Sequence, residues 1–148
     1  MLKVMIAEDD YFQAEMIGVL LAENGYEVCG KAGTVKDAIE LGESHKPDLA
    51  FVDVWLAEGG HGREIGARLK REGGPGILLA TGRSGKLGAL GLTAADGHAF
   101  LGKPFSPADL LHALKIVEQM IRTGMAWEPY PAGFHVLEPS TRIDVEPS

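Results

Sequence analysis

The sequence has one cysteine, no long apolar run and no excess of positive charge, and each shortage excludes a class of protein. Cys29 has no partner for an internal disulfide, which favours a reducing compartment such as the cytoplasm. No apolar stretch approaches the roughly 20 residues of a membrane span, and the apolar start Met1–Ala7 leads directly into acids, unlike a signal peptide. A net charge of −7 argues against a nucleic-acid partner, since a phosphate backbone attracts basic side chains.

The sequence is rich in short apolar runs that alternate with longer helical patterns. Its 148 residues, 45% of them hydrophobic, suffice for one domain with its own core. This alternation predicts an α/β fold, a doubly wound five-stranded parallel sheet of the flavodoxin-like kind with a C-terminal extension. The five strand-like runs are Leu2–Ala7, Tyr26–Ala32, Leu49–Val52, Ile77–Ala80 and Ala99–Leu101.

Helices are predicted between and after these runs. On the first, which starts at Asp10, the helical spacing is carried by Phe12, Met16, Val19 and Leu20. Two others start at the capping residues Thr34 and Ser106, and a further one surrounds Ile65 and Leu69. The segment 85–97 should also hold a helix, although each of its glycines at 85, 88 and 91 costs a helix about 1 kcal/mol relative to alanine.

Residues 124–148 break the alternation and are predicted to be an appendage to a domain of residues 1–123. They hold four of the eight prolines, yet they are also rich in apolar side chains. Two interpretations stay open: a flexible tail, or an arm packed on its own domain or on a second subunit as a homodimer contact. Ile143 and Val145 alternate with polar residues, as in a strand that could pair with a sheet edge.

Polar side chains follow four of the five predicted strands. These are Glu8 and Asp9, then Asp53, Thr81 and Lys103. The carboxyl ends of parallel strands meet at one edge of a sheet, so these groups should converge there. Carboxylates about 4 Å apart repel by about 4 kcal/mol at an effective dielectric of 20, and hard oxygen ligands select Mg²⁺ to offset that charge. A divalent ion beside a carboxylate and a lysine suits phosphoryl transfer, with Asp53 as the nucleophile.

The set Glu8–Asp9, Asp53, Thr81 and Lys103–Pro104–Phe105 resembles the site pattern of response-regulator receiver domains over about residues 2–122. The resemblance implies a cytoplasmic single-domain response regulator of a two-component system, a signalling protein and not an enzyme in the usual sense. It would accept a phosphoryl group on Asp53 from a histidine kinase or a histidine phosphotransfer protein. Its output would be contact with a downstream protein target, as an effector, a relay or a phosphate sink.

The resemblance also implies individual roles. Asp9 would be the main metal carboxylate, assisted by Glu8, by Asp53 and by the backbone carbonyl of Trp55. Thr81 would bond the phosphoryl group, Lys103 would pair with it, and the Lys103–Pro104 peptide would be cis. Phe100 stands at the family's switch aromatic without a hydroxyl, so any switching would rest on packing. Trp55 and Arg83 would border the path of the hydrolytic water and lengthen the life of the phosphoryl group.

Enzymes on the same architecture are the alternatives. A flavodoxin-like electron carrier needs a hydroxyl-rich loop after the first strand, where this chain has acids. A phosphatase with an aspartate nucleophile needs a second aspartate two residues later, where Trp55 stands. A receiver that binds partners without phosphorylation is a third alternative, and the complete set of site residues argues against it.

Overall fold

The computed structural model describes residues 1–82 and 91–139. Within them the strands are β1 Lys3–Ala7, β2 Glu27–Ala32, β3 Leu49–Asp53, β4 Gly76–Thr81, β5 Ala99–Gly102 and β6 Phe134–Val136. These six strands form one sheet in the order β2-β1-β3-β4-β5-β6. The helices are α1 Tyr11–Glu23, α2 Val35–His45, α3 Arg63–Leu69 and α4 Pro107–Thr123, with a short 3-10 helix at Ala57–Gly59.

The predicted doubly wound sheet is confirmed. β1 to β5 pair in parallel, and the central strand β3 is buried along its whole length. Apolar residues of α1 and α4 cover one face of the sheet, and those of α2 and α3 cover the other. Helix starts follow the sequence signals, because the side chains of Asp10, Thr34 and Ser106 each accept a hydrogen bond from a backbone N–H of the first turn.

Helix α1 buries a different stripe from the one that the sequence pattern indicates. Phe12 and Met16 are 76% and 71% exposed, and Val19 is exposed as well. The side facing the sheet carries Ala14, Ile17, Gly18 and Leu21 instead. Both stripes have helical spacing, and the sheet selects the one with smaller side chains, since these allow a closer approach.

The predicted helix over 85–97 is not found in its described part, since residues 91–97 form turns and loops. Residues 83–90 of that prediction lie outside the described residues. On this side of the sheet Leu92 is buried together with Leu137, a residue from near the end of the described chain.

The sheet has a sixth strand, and it is formed by residues other than those whose alternating pattern predicts a strand in the C-terminal appendage. β6 pairs antiparallel with β5, through Ala99 opposite Val136 and Leu101 opposite Phe134. The residues predicted for strand pairing, Ile143 and Val145, lie outside the described residues. Of the two interpretations of the appendage, the structure shows for residues 134–136 an arm packed on its own domain. Among the described helices, none combines the length and the apolar character that crossing a membrane demands.

Candidate functional site

The Lys103 ammonium lies at the carboxyl edge of the sheet and donates to three side chains. It is 2.8 Å from Glu8 Oε1, 2.9 Å from Asp53 Oδ2 and 2.8 Å from Gln13 Oε1. Glu8 and Asp53 come from different parts of the chain, and both reach the ammonium of Lys103. The positions of these three residues at strand ends predict this convergence. The peptide after this lysine, Lys103–Pro104, is cis, in agreement with the expectation from the resemblance.

Asp53 ends β3 and is held from several sides. Only 7% of it is exposed, and its Oδ1 accepts a hydrogen bond from the Trp55 backbone N–H at 3.1 Å. The start of α3 passes directly behind it at Gly62, where a Cβ atom would lie 2.4 Å from the Asp53 carbonyl oxygen. A residue other than glycine there would push the end of β3 out of place, so Gly62 is part of what positions Asp53.

Electrostatics at the site are dominated by burial. Glu8 is 4% exposed, and burial raises its pKa to about 7, with a further increase from the Asp53 charge and an opposing effect of the Lys103 hydrogen bond. Burial by itself would lower the pKa of Lys103, but the hydrogen bonds to Glu8 and Asp53 raise it. The lysine therefore stays charged and offsets part of the negative charge of the two carboxylates.

The predicted site residues line one open cleft of about 330 Å³, with two exceptions. Phe100 does not line it; the ring is 2% exposed and packs beside His135, with 6.4 Å between the ring centroids. Arg83 lies outside the described residues. The residues that line the cleft are Glu8, Asp9, Asp10, Gln13, Asp53, Trp55, Leu56, Thr81, Gly82 and Lys103.

Comparison with known proteins assigns this arrangement to a family. Residues 4–115 match the family model described as the response regulator receiver domain. The chain belongs to that family. Receiver domains are the phosphate-accepting signalling domains of two-component systems and are not enzymes in the usual sense.

Relatives of this receiver domain include proteins of different lengths. The transcriptional regulatory protein PdtaR of Mycobacterium tuberculosis is 32% identical over 85% of this chain, which spans 61% of that protein. The chemotaxis protein CheY of Thermotoga maritima is 26% identical over 79% of this chain and 98% of its own length. The receiver domain of a modulated diguanylate cyclase from Desulfovibrio desulfuricans shares the fold, with a TM-score of 0.74 and 22% identity over 84% of this chain and 99% of that one.

Receiver domains generally use Mg²⁺, and the oxygen donors of this cleft fit such an ion. Glu8 and Asp53 present buried carboxylates, Asp9 presents an exposed one, and among the residues that the structure describes no thiolate or imidazole lines the cleft. Within the described part of the chain, no three His, Cys, Asp or Glu side chains converge closely enough to hold a metal on their own. A site completed by a backbone carbonyl and by water suits Mg²⁺, which keeps several waters when it binds.

Two residues of the site, Gln13 and Gly62, were not predicted from the sequence. Gln13 lies in the first turn of α1, and its contact with Lys103 depends on how the helix is placed against the sheet. Gly62 has a sequence signal in the glycine-rich stretch 59–62, but only the structure shows which backbone atom it must avoid.

Proposed function

We propose that this receiver domain takes up a phosphoryl group on Asp53 from a histidine kinase or a histidine phosphotransfer protein, with Mg²⁺ as cofactor. The observation that carries the proposal is the Lys103 ammonium, which lies 2.9 Å from Asp53 Oδ2 and 2.8 Å from Glu8 Oε1 in the open cleft. Phosphoryl transfer relies mainly on positioning and charge neutralisation, and a fixed cation beside a held carboxylate contributes both.

In the proposed reaction an ionised oxygen of Asp53 attacks the phosphorus of the donor's phosphohistidine. An O–P bond forms and the P–N bond breaks, with its electron pair returning to the donor's imidazole, so no further reactant is needed. Lys103 and Thr81 then bond the transferred group. Glu8, Asp9, Asp53 and the Trp55 carbonyl would hold Mg²⁺, which supplies positive charge beside the phosphoryl oxygens.

The surface next to the cleft supports a protein as the donor. Phe12 and Met16 on α1 are largely exposed, and Met16 also lines an apolar groove of about 490 Å³ together with Lys103 and Phe105. Exposed apolar side chains in one place are typical of protein–protein contact. The phosphoryl donor would therefore be recognised partly by α1 while its phosphohistidine reaches Asp53.

The output of the protein is also part of the proposal. We expect this receiver domain to act in the cytoplasm by contact with a protein target, with its C-terminal residues 124–148 contributing a surface for a homodimer. Because this chain spans about three fifths of PdtaR, the activity of that longer protein is not transferred to it. An enzyme on the same architecture is disfavoured, since Trp55 stands where an aspartate-nucleophile phosphatase needs its second acid.

Incubation with a small acyl phosphate and Mg²⁺, followed by intact mass spectrometry, tests this function. The chain should gain the mass of one phosphoryl group, and Asp53→Asn should gain none. Asp10→Asn is the matched control, because Asp10 lines the same cleft but serves as the N-cap of α1, a role that asparagine fills equally well. Loss of phosphorylation in both variants, or in neither, would contradict the assignment of Asp53.

Trp55 is expected to slow the loss of the phosphoryl group, since this residue lines the cleft beside Asp53 and its ring packs edge-on against His61, with 4.7 Å between the ring centroids. Trp55→Ala should open a path for the hydrolytic water and speed dephosphorylation about fivefold, about 1 kcal/mol of barrier. The decay is followed by mass after the donor is removed, with Trp127→Ala as the control for loss of an exposed tryptophan. A slower decay in Trp55→Ala contradicts this role.

A further inference from the structure

The C-terminal arm, residues 133–138, is fastened at both ends of β5. At the end near the cleft, the Gly102 backbone N–H donates to the Gly133 carbonyl at 3.1 Å. At the other end, the Leu137 N–H donates to the His98 carbonyl at 3.1 Å, and the Ala94 N–H donates to the Glu138 carbonyl at 2.8 Å. The arm thus provides hydrogen-bond partners for backbone groups at the outer edge of β5, and it also bonds to the loop 91–97.

Two apolar side chains of the arm enter the molecule, one on each face of the sheet. Phe134 joins the core under α1 and α4, and Leu137 joins the core on the opposite face, where it packs with Leu92 and Phe100. Both are 5% exposed, whereas His135 between them is exposed. The β5 edge therefore offers two sockets for a strand with apolar residues three positions apart.

The occupied edge is directly connected to the candidate site. Thr81 is the register partner of Gly102, and the Lys103 backbone N–H donates to the Thr81 carbonyl at 3.1 Å. A shift of Thr81 or Lys103 toward a phosphoryl group on Asp53 would move Gly102, which holds the first hydrogen bond of the arm. Lys103 directly follows Gly102, the residue to which the arm is attached.

We propose that the β5 edge is a strand-addition site for a partner protein, and that the arm occupies it until Asp53 carries a phosphoryl group. This inference rests on the proposed function for its control by phosphorylation. The partner supplies an extended segment that pairs antiparallel with β5 and places apolar side chains in the sockets of Phe134 and Leu137. Main-chain hydrogen bonds provide affinity in such complexes and the sockets provide selectivity.

A fluorescent peptide with the sequence of residues 131–138 is the probe for the edge, with the full chain as its receptor. Phosphorylated wild type should bind it about tenfold more tightly than unmodified wild type or Asp53→Asn, a typical coupling between two sites. The full-length double variant Phe134→Ala, Leu137→Ala should bind it without phosphorylation, because its own arm is weakened. His135→Ala is the matched control and should behave as wild type, since this side chain fills no socket.

Deuterium exchange on wild type gives a readout that does not depend on a variant. Phosphorylation should lower the protection of the Gly102 and Leu137 amides about tenfold. The Val54 amide, which donates to the Ala80 carbonyl inside the sheet, should keep its protection.

The outcomes separate the two proposals. Failure of the folded double variant to bind the peptide overturns the strand-addition site. Binding by that variant but not by wild type of confirmed phosphorylated mass, with unchanged exchange at Gly102 and Leu137, overturns the control by Asp53. A wild-type chain that gains no phosphoryl mass contradicts the proposed function and this control together, while the double variant still decides the strand-addition site.

Discussion

Lys103 uses all three N–H donors of its ammonium before any phosphoryl group is present, on Glu8, Gln13 and Asp53. To bond an incoming phosphoryl group it must release at least one of them. Of the three acceptors, Gln13 is the one with a neutral side chain, and its hydrogen bond to Lys103 is exposed. If Lys103 bonds the phosphoryl group as proposed, Gln13 should compete with that group for the lysine.

Gln13→Met should raise the rate of phosphorylation by a small acyl phosphate about threefold, because methionine has a similar length but no strong acceptor for Lys103. Gln13→Glu is its counterpart and should lower the rate, since a carboxylate binds the lysine more strongly. Initial rates over a series of donor concentrations measure both. A slower methionine variant, or a faster glutamate variant, would sink the idea of competition.

Residue-level prediction succeeded where position along a strand decides the outcome. Glu8, Asp53 and Lys103 converge because each directly ends or follows a parallel strand, and the sequence alone implies that geometry. Gln13 and Gly62 could not be found in this way. Their roles depend on the angle of α1 and on the approach of α3 to β3, which follow from packing and not from spacing.

At the scale of elements, α1 shows that the apolar residues whose spacing indicates a helix need not be the ones that the helix buries. Apolar residues lie on both of its sides, so periodicity establishes the helix without choosing its orientation. The choice is made by contact, since Ala14 and Gly18 let the helix lie close to the sheet. The larger side chains Phe12 and Met16 are left exposed beside the cleft, where a docking partner would cover them.

His98 joins β4 to β5 through an interaction that depends on its neutral form. Its Nδ1 accepts the Ile77 backbone N–H at 2.9 Å. Burial, helped by the positive charge of Lys70, lowers the pKa of His98 to about 4. The unfolded chain takes up a proton near the ordinary histidine pKa of about 6.5, whereas the folded chain does so only near pH 4. Stability is therefore present above pH 6.5 and is lost as the pH falls toward 4.

Urea unfolding at pH 7 and pH 5 should show this loss, about 1 kcal/mol after allowance for the partial exposure of the ring. His98→Asn is the matched variant, because its side-chain oxygen can replace Nδ1 as the acceptor for Ile77 but does not titrate. The unfolding free energy of the wild type should therefore fall by about 1 kcal/mol more between pH 7 and pH 5 than that of His98→Asn. An equal pH dependence of the two chains would rule out His98 as the cause.

At the scale of the whole molecule, the alternation of strands and helices determines the five-stranded core, and the sequence was sufficient to predict it. The pairing of β6 with β5 could not be predicted in this way, since the density of apolar residues at 127–137 indicates that the segment packs but not where it packs. That packing site depends on which sheet edge is left open, and β6 pairs with β5, the outermost of the parallel strands on that side. A contact between distant segments of this kind produces no periodic pattern in the local sequence.

Every role proposed for the residues of the cleft depends on Asp53 being the group that is modified, and chemical trapping tests this most directly. Borohydride reduces an aspartyl phosphate to homoserine, so treatment of the phosphorylated chain marks the residue that carried the phosphoryl group. Peptide mass spectrometry should find homoserine at position 53 and only after incubation with Mg²⁺ and the donor. Homoserine at position 9, 10 or 48, or at none, would contradict the account.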